Sequence, residues 1–472
     1  MSEGISVRKA TLINASGKYL KVILTVLVNA VLARILTPFD FGVVAVITVF
    51  TTFFATLSDM GLGPAIVQKK ELTGRDIDSL FTYSVYVAAA LSLIFAACAF
   101  PIAAFYKDAV YVKPTLLLTV SLFFNALNMV PNGILNRDKR FVTIAVRTVV
   151  VYVVSALISI WLALHGWRFY ALVAQAILSS VLQFIWNWIS TRPHMLARPD
   201  SSAIAVVKSY SLYQFAFNVV NYFARNLDNL LTGKFMGEIN LGNYNKAYNL
   251  MLFPVNNLSG VVSPVLHPIL SDFRDQPEAI YRRYMRLLRF LFCLGIGIAG
   301  LAYLASEEII GILYGPQWAP CVKCFSLLAI AIIPQMINAS AGAIFQALGN
   351  TRLLFLSTCI NTAVTLAAIL AGIFLGGTIE MLSLCVALSY LFHFLCAFHF
   401  LIRKGFGYSM LPFVKQIAPE LVMTGIMTAA VLLFPFRVEG LVLSFIVKAA
   451  YVGVIYIVMM LVSGEYRLFN LK

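Results

Sequence analysis

The chain has 472 residues, of which 61% are hydrophobic and only 12% charged; its net charge is +15 and its mean hydropathy +0.88. Soluble domains carry roughly 25% charged residues, so composition excludes a soluble protein, a disordered chain, a coiled coil and a disulfide scaffold. What remains is an all-α integral membrane protein, whose excess Lys and Arg belongs in cytoplasmic loops facing anionic lipid rather than on nucleic acid.

A spanning helix needs ~20 mostly apolar residues. Fourteen runs meet that length: 12–36, 41–66, 80–105, 114–135, 142–164, 168–190, 207–234, 244–270, 287–309, 320–347, 352–375, 379–402, 416–436 and 439–463. The first follows Arg8 and Lys9 and resembles a signal peptide, but Lys18 and Lys21 interrupt it and its length suits a retained helix. The runs are continuous rather than alternating, so they predict helices and not a barrel. In the second, Asp59 precedes Met60-Gly61-Leu62-Gly63-Pro64, which should bend or end the helix. Asp59 itself reads as a cap or ion-pair partner, with ion coupling as the alternative. The loop 271–286 leads into Arg282, Arg283, Arg286 and Arg289 beside Ile280, Tyr284 and Leu287, a basic stretch suited to the inner membrane surface. With the N-terminus inside, 22 basic residues fall in cytoplasmic segments and eight in outer ones. Lys18, Lys21, Arg147, Arg225 and Lys448 fall within spans. That bias supports an even number of helices with both termini cytoplasmic.

A shift of 200 residues aligns LARILTPFDFG, ending at Gly42, with TGKFMGEINLG, ending at Gly242. Arg34 meets Lys234 and Asp40 meets Asn240. The pattern predicts two six-helix lobes, 1–190 and 206–402, plus a helix pair at 414–463. Parallel repeats of this kind hold a substrate between halves near the midplane.

Polar residues fall on one face of the first helix of each half. In the first they are Asn14, Lys18, Lys21, Thr25 and Asn29. In the seventh they are Ser211, Gln214, Asn218, Asn221, Arg225, Asn229 and Thr232, with Asp228 at the edge. A cation in lipid costs at least ~2.5–3.5 kcal/mol, so Lys21 and Arg225 should face a wet cavity or a partner. Two other readings stand beside the cavity: Arg225 pairs with Asp228, and the lysines reach back to the cytoplasmic surface. Cations suit phosphate oxygens, and amides suit sugar hydroxyls. The candidate binding set is therefore Lys18, Lys21, Asn29, Asn218, Asn221, Arg225 and Asp228. Asn125, Asn128, Asn256, Asn257, Gln335 and Asn338 either extend it or make helix–helix hydrogen bonds. His393 and His399 read as packing or hydrogen-bonding residues. Seven cysteines sit mostly in apolar runs, and the lone Cys321–Cys324 pair lacks the second pair that zinc would need. No catalytic pattern stands out: paired outer-loop carboxylates, a nucleotide-binding glycine loop and metal-ligand spacing are all missing from the sequence.

Several segments together resemble the polysaccharide flippases of the Wzx/WzxC type, within the multidrug/oligosaccharidyl-lipid/polysaccharide exporter superfamily. They are LARILTPFDFG (32–42), DMGLGPAIVQKKELT (59–73), FYKD (105–108), ILNRDKRF (134–141), YALVAQA (170–176), RNLDNLLTGKFMG (225–237), LGNYNKAYNL (241–250) and SPVLHPILS (263–271). The resemblance weakens after about residue 410. It implies fourteen helices in two lobes around a V-shaped cavity in the bacterial inner membrane. It implies alternating access that flips an undecaprenyl-diphosphate-linked oligosaccharide to the outer leaflet for O-antigen, capsule or exopolysaccharide. It also implies membrane lipids, a polymerase and glycosyltransferases as partners and no cofactor, with H⁺, Na⁺ or neither driving the cycle. The family's cationic cavity matches Lys18, Lys21 and Arg225. Two other readings remain: a multidrug or small-molecule antiporter, which wants a carboxylate-rich cavity, and a membrane polymerase, which wants a large catalytic outer loop.

Overall fold

A computed structural model describes residues 7–59, 63, 66, 67, 69, 71–200, 222, 226–271, 276–435 and 438–469, with backbone alone for 7–15, 18, 59, 258–271, 277, 351 and 469. Every regular element among them is helical, because in lipid a helix satisfies its own backbone groups. Nine described helices are long and apolar enough to cross a membrane, or ten if one bent pair counts as a span. The chain is a multi-pass membrane protein.

Local sequence fixes the helix starts. α1 (Val7–Ile35) meets α2 (Pro38–Asp59) at a tight corner. There the Thr37 amide and hydroxyl donate to Asp40 Oδ2 at 2.9 and 2.7 Å. The Asp40 amide donates back to Thr37 Oγ1 at 3.4 Å, and Pro38 takes the first helical position. Thr73 and Asp76 repeat the same capping box at α3 (Gly74–Tyr106). The expected span 114–135 is α4 (Val112–Leu127) and α5 (Met129–Arg137), interrupted at Asn128. α6 (Phe141–Leu164) and α7 (Phe169–Thr191) follow, then α8 (226–236) and α9 (Glu238–Ser271).

The remaining helices are α10 (Pro277–Leu304), α11 (Ser306–Leu313), α12 (Ala319–Ala329), α13 (Ile332–Ala347), α14 (Thr351–Ala371), α15 (Ile379–His399), α16 (Met410–Gln416), α17 (Ala418–Leu432) and α18 (Leu441–Ser463). The span expected at 320–347 is not straight. It bends by 56° between α12 and α13. Pro334 has no N–H for the Ile330 carbonyl, and Ile330 and Ala331 fall back to i−3 bonds at 3.4 and 2.9 Å.

The chain divides into two compact units, Met1–Gly242 and Asn243–Lys472. In the first, α1 packs on α6, α6 on α7, α3 on α4, and α4 on α7. Val43, Ile47, Phe95, Tyr111, Leu122 and Leu241 fill its largest core. In the second, α10 touches α12, α13, α17 and α18, around Tyr284, Leu288, Ile337, Phe345, Phe398 and Leu401. Leu93, Leu157, Leu375 and Val462 are largely exposed, as lipid-facing side chains should be.

Within the first unit the repeat reappears as a reciprocal contact. A Cβ on Gly42 would lie 1.9 Å from the Glu238 carbonyl oxygen, and one on Gly242 would lie 1.9 Å from the Pro38 carbonyl oxygen. Both glycines sit one turn into their helices, so α2 and the start of α9 cross backbone on backbone. Aromatic and basic side chains clamp the same region. The Tyr111 hydroxyl donates to Glu238 Oε1 at 2.7 Å, and Tyr106 donates to the Leu230 carbonyl at 3.1 Å. Lys234 donates to the Phe105 carbonyl, and Tyr222 to that of Val49.

Gly42→Ala or Gly242→Ala should each cost about 3 kcal/mol or more, the upper end of overpacking, because the opposing atoms are backbone and cannot rotate away. Gly74→Ala, with nothing within 4 Å of its Cβ, should change stability by less than about 0.5 kcal/mol. Thermal melting of the purified protein in detergent measures both.

Candidate functional site

α1 carries the first polar face. Lys21 is exposed; the Thr25 hydroxyl donates to its carbonyl at 2.7 Å, and Asn29 Nδ2 donates to the Thr25 carbonyl at 2.9 Å. Spacing of four residues puts Lys21, Thr25 and Asn29 on one side of the helix. Among the described residues Lys21 makes no ion pair. The side chain of Lys18, and residues Asn218, Asn221 and Arg225, lie outside the described set. Asp228 is placed on α8, 5% exposed, with Oδ1 accepting from the Asn229 amide at 2.8 Å. The structure therefore brings Lys21 and Asn29 together on α1 and sets Asp228 on a different helix.

The secondary amides divide. Asn257 bonds back to the Phe253 carbonyl of its own helix, whereas Asn128 accepts from Asn187 across helices. His393 Nε2 lies 2.9 Å from the Asn361 carbonyl and 2.8 Å from Thr365 Oγ1, a helix–helix bond between α14 and α15. Arg147, to which sequence reading gave no role, is 5% exposed and sits at the centre of an amide network. Its Nη1 donates to Asn187 Oδ1 at 2.6 Å and to Asn132 Oδ1 at 3.1 Å. Three asparagines and an arginine on neighbouring apolar helices were the available signal.

The second unit holds buried ion pairs that spacing could not reveal. Arg289 Nε donates to Glu420 at 2.6 Å and its Nη2 to Glu465. Cys293 lies beside both carboxylates, so the three could in geometry hold a metal, but the guanidinium already bridges the two acids. Burial raises the Glu465 carboxyl above its ordinary value; Glu420 adds to this and Arg289 opposes it. A second pair joins α11 to α18, with Glu308 2.5 Å from Lys448 and bonded to Ser444 at 2.6 Å. Also in this unit, a cavity of about 470 Å³ opens between α10, α13, α15 and α17, lined by Phe292, Ile296, Ile333, Phe394, Met427 and Val431. Its wall is apolar and suits hydrocarbon.

Removing one member of a buried pair leaves an uncompensated charge. Arg289→Gln should cost about 3–5 kcal/mol, read as loss of folded protein on size exclusion or as a lower melting temperature. Glu465 holds its proton more tightly in the folded state, so that contribution is present at acid pH and lost as pH rises through its folded value. Glu465→Gln should flatten this slope in a pH series of melting curves.

A family model described as "Polysaccharide biosynthesis protein" matches residues 31–323. An "Uncharacterized membrane protein in cps region" of Klebsiella pneumoniae is 22% identical over 100% of this chain and 98% of its own length. The lipopolysaccharide biosynthesis protein WzxC of Escherichia coli (strain K12) is 21% identical over 74% of this chain and 71% of its own. Among solved structures, the lipid II flippase MurJ in an inward closed conformation superposes with a TM-score of 0.73 at 14% identity, covering 97% of this chain and 99% of that one.

Proposed function

Because the chain belongs to the polysaccharide biosynthesis protein family, we propose that it is a transporter of polysaccharide precursors and that its substrate is an undecaprenyl-diphosphate-linked oligosaccharide. It moves the saccharide head from the cytoplasmic to the outer leaflet of the bacterial inner membrane by alternating access, through fourteen spans with both termini cytoplasmic. Lys18, Lys21 and Arg225 hold the diphosphate; Asn29, Asn218, Asn221 and Asp228 meet the saccharide. The lipid tail stays in hydrocarbon. A proton or sodium ion drives the return step, and a polymerase receives the product.

The observation that carries this reading is the exposed Lys21 on the polar face of α1. A cation held there without an ion pair among the described residues suits a phosphate-bearing substrate. It disfavours a cation antiporter, whose site would be lined by carboxylates. Long apolar helices and the likeness in fold to a flippase support transport over catalysis.

Deleting the gene in the native bacterium should abolish the surface polymer and trap lipid-linked intermediates in the inner leaflet. Normal polymer with altered drug tolerance would contradict the substrate assignment. Export from the Lys21→Gln, Arg225→Gln double variant should fall at least about tenfold, the equivalent of ~1.4 kcal/mol, with the protein still inserted in the membrane.

A further inference from the structure

Arg147 is a buried cation with one of its donor edges incompletely paired. It stands in the second turn of α6, 5% exposed. Its Nη1 is saturated by the two amide oxygens of Asn187 and Asn132. Nη2 makes one long bond to Thr148 Oγ1 at 3.4 Å, and Nε has no hydrogen-bond partner. Every acceptor around the guanidinium is neutral, and among the described residues no carboxylate lies within ion-pair distance of it. Asn187 is fixed in turn by donating its Nδ2 to Asn128 Oδ1 at 2.7 Å. The amides thus grip one side of the guanidinium and hold the Nε–Nη2 side fixed. That side is the fork which binds carboxylates and phosphates through two parallel hydrogen bonds. The turn entering α6 carries exposed Lys139 and Arg140 and half-buried Arg137; Asp138 in the same turn lies 3.8 Å from Arg137 Nε, so the turn is basic on balance.

We propose that Arg147 anchors an oxyanion site, binding a phosphate-type group side-on through Nε and Nη2 while Asn132 and Asn187 set the orientation of the guanidinium. The bound anion supplies the missing counter-charge. Its source is free phosphate or pyrophosphate, or the headgroup of a lipid diphosphate. The lipid source rests on the transport reading above; the site itself does not.

The test uses full-length protein in phosphatidylcholine nanodiscs. Its melting temperature is followed with inorganic pyrophosphate, inorganic phosphate and chloride at matched ionic strength, and separately with undecaprenyl diphosphate in the disc. Pyrophosphate or undecaprenyl diphosphate at saturating levels should raise the wild-type midpoint by about 5 °C. Arg147→Gln should abolish the shift, and Arg147→Lys, which keeps the charge without the fork, should reduce it. A response to inorganic pyrophosphate identifies a small-anion site, and a response to undecaprenyl diphosphate alone identifies a lipid headgroup site. A wild type that responds no more to either than to chloride overturns the proposal, as does an undiminished shift in Arg147→Gln. Should Arg147→Gln fail to fold, an undiminished shift in Arg147→Lys overturns it as well. None of these failures touches the transport reading, which the deletion strain tests separately.

Discussion

The first unit is organised around a place where two helices touch with no side chain between them. Gly42 and Gly242 occupy matching positions in a repeat offset by 200 residues, and each lies against the backbone of the other's helix start, at Glu238 and Pro38. In lipid the hydrophobic effect does not draw helices together, so close approach at small residues and the interhelical hydrogen bonds around it carry the association. The crossing fixes where α9 begins, and Tyr106, Tyr111 and Lys234 are then within reach of the carbonyls and the carboxylate that hold it. One constraint therefore sets the entry of a long helix and the placement of the polar residues just before it.

Charge is handled differently in the two units. In the second, buried carboxylates and cations pair: Arg289 with Glu420 and Glu465, and Lys448 with Glu308. These pairs tie α17 and α18 to α10 and α11, where burying unpaired groups would cost far more than the pairs return. In the first, the guanidinium of Arg147 is surrounded by amides, and Lys21 is exposed on α1. The first unit also has its pairs, Arg168 with Asp40 and Arg137 with Asp138, but Arg147 and Lys21 stand apart from them, and two such cations suit an anion.

Much of this was legible from residue order. Apolar run length located most of the described helices, since a membrane helix must be both apolar and about 20 residues long; the expected span 207–234 lies largely outside the described residues. The Gly42/Gly242 repeat was also visible, although the reciprocal packing of its glycines and the Thr37–Asp40 corner were not. The bend between α12 and α13 was missed because an apolar run looks continuous even where Pro334 removes a backbone bond. The Arg289–Glu420–Glu465 cluster was invisible for another reason: its members are far apart in the chain, and only packing joins them. For the candidate site, periodicity placed Lys21 and Asn29 on one face of α1, as the structure does. It gave Arg147 no role, because a lone arginine in an apolar run carries no period of its own.

Reconstitution tests directly whether this protein moves a lipid-linked saccharide across a bilayer, as proposed. Purified protein would be placed in vesicles holding a fluorescent undecaprenyl-diphosphate oligosaccharide, with accessibility to an external quencher followed over time. The protected inner-leaflet fraction should become accessible in vesicles that contain the protein and stay protected in protein-free ones. Equal protection in both, with the protein shown to be folded and inserted, would contradict it.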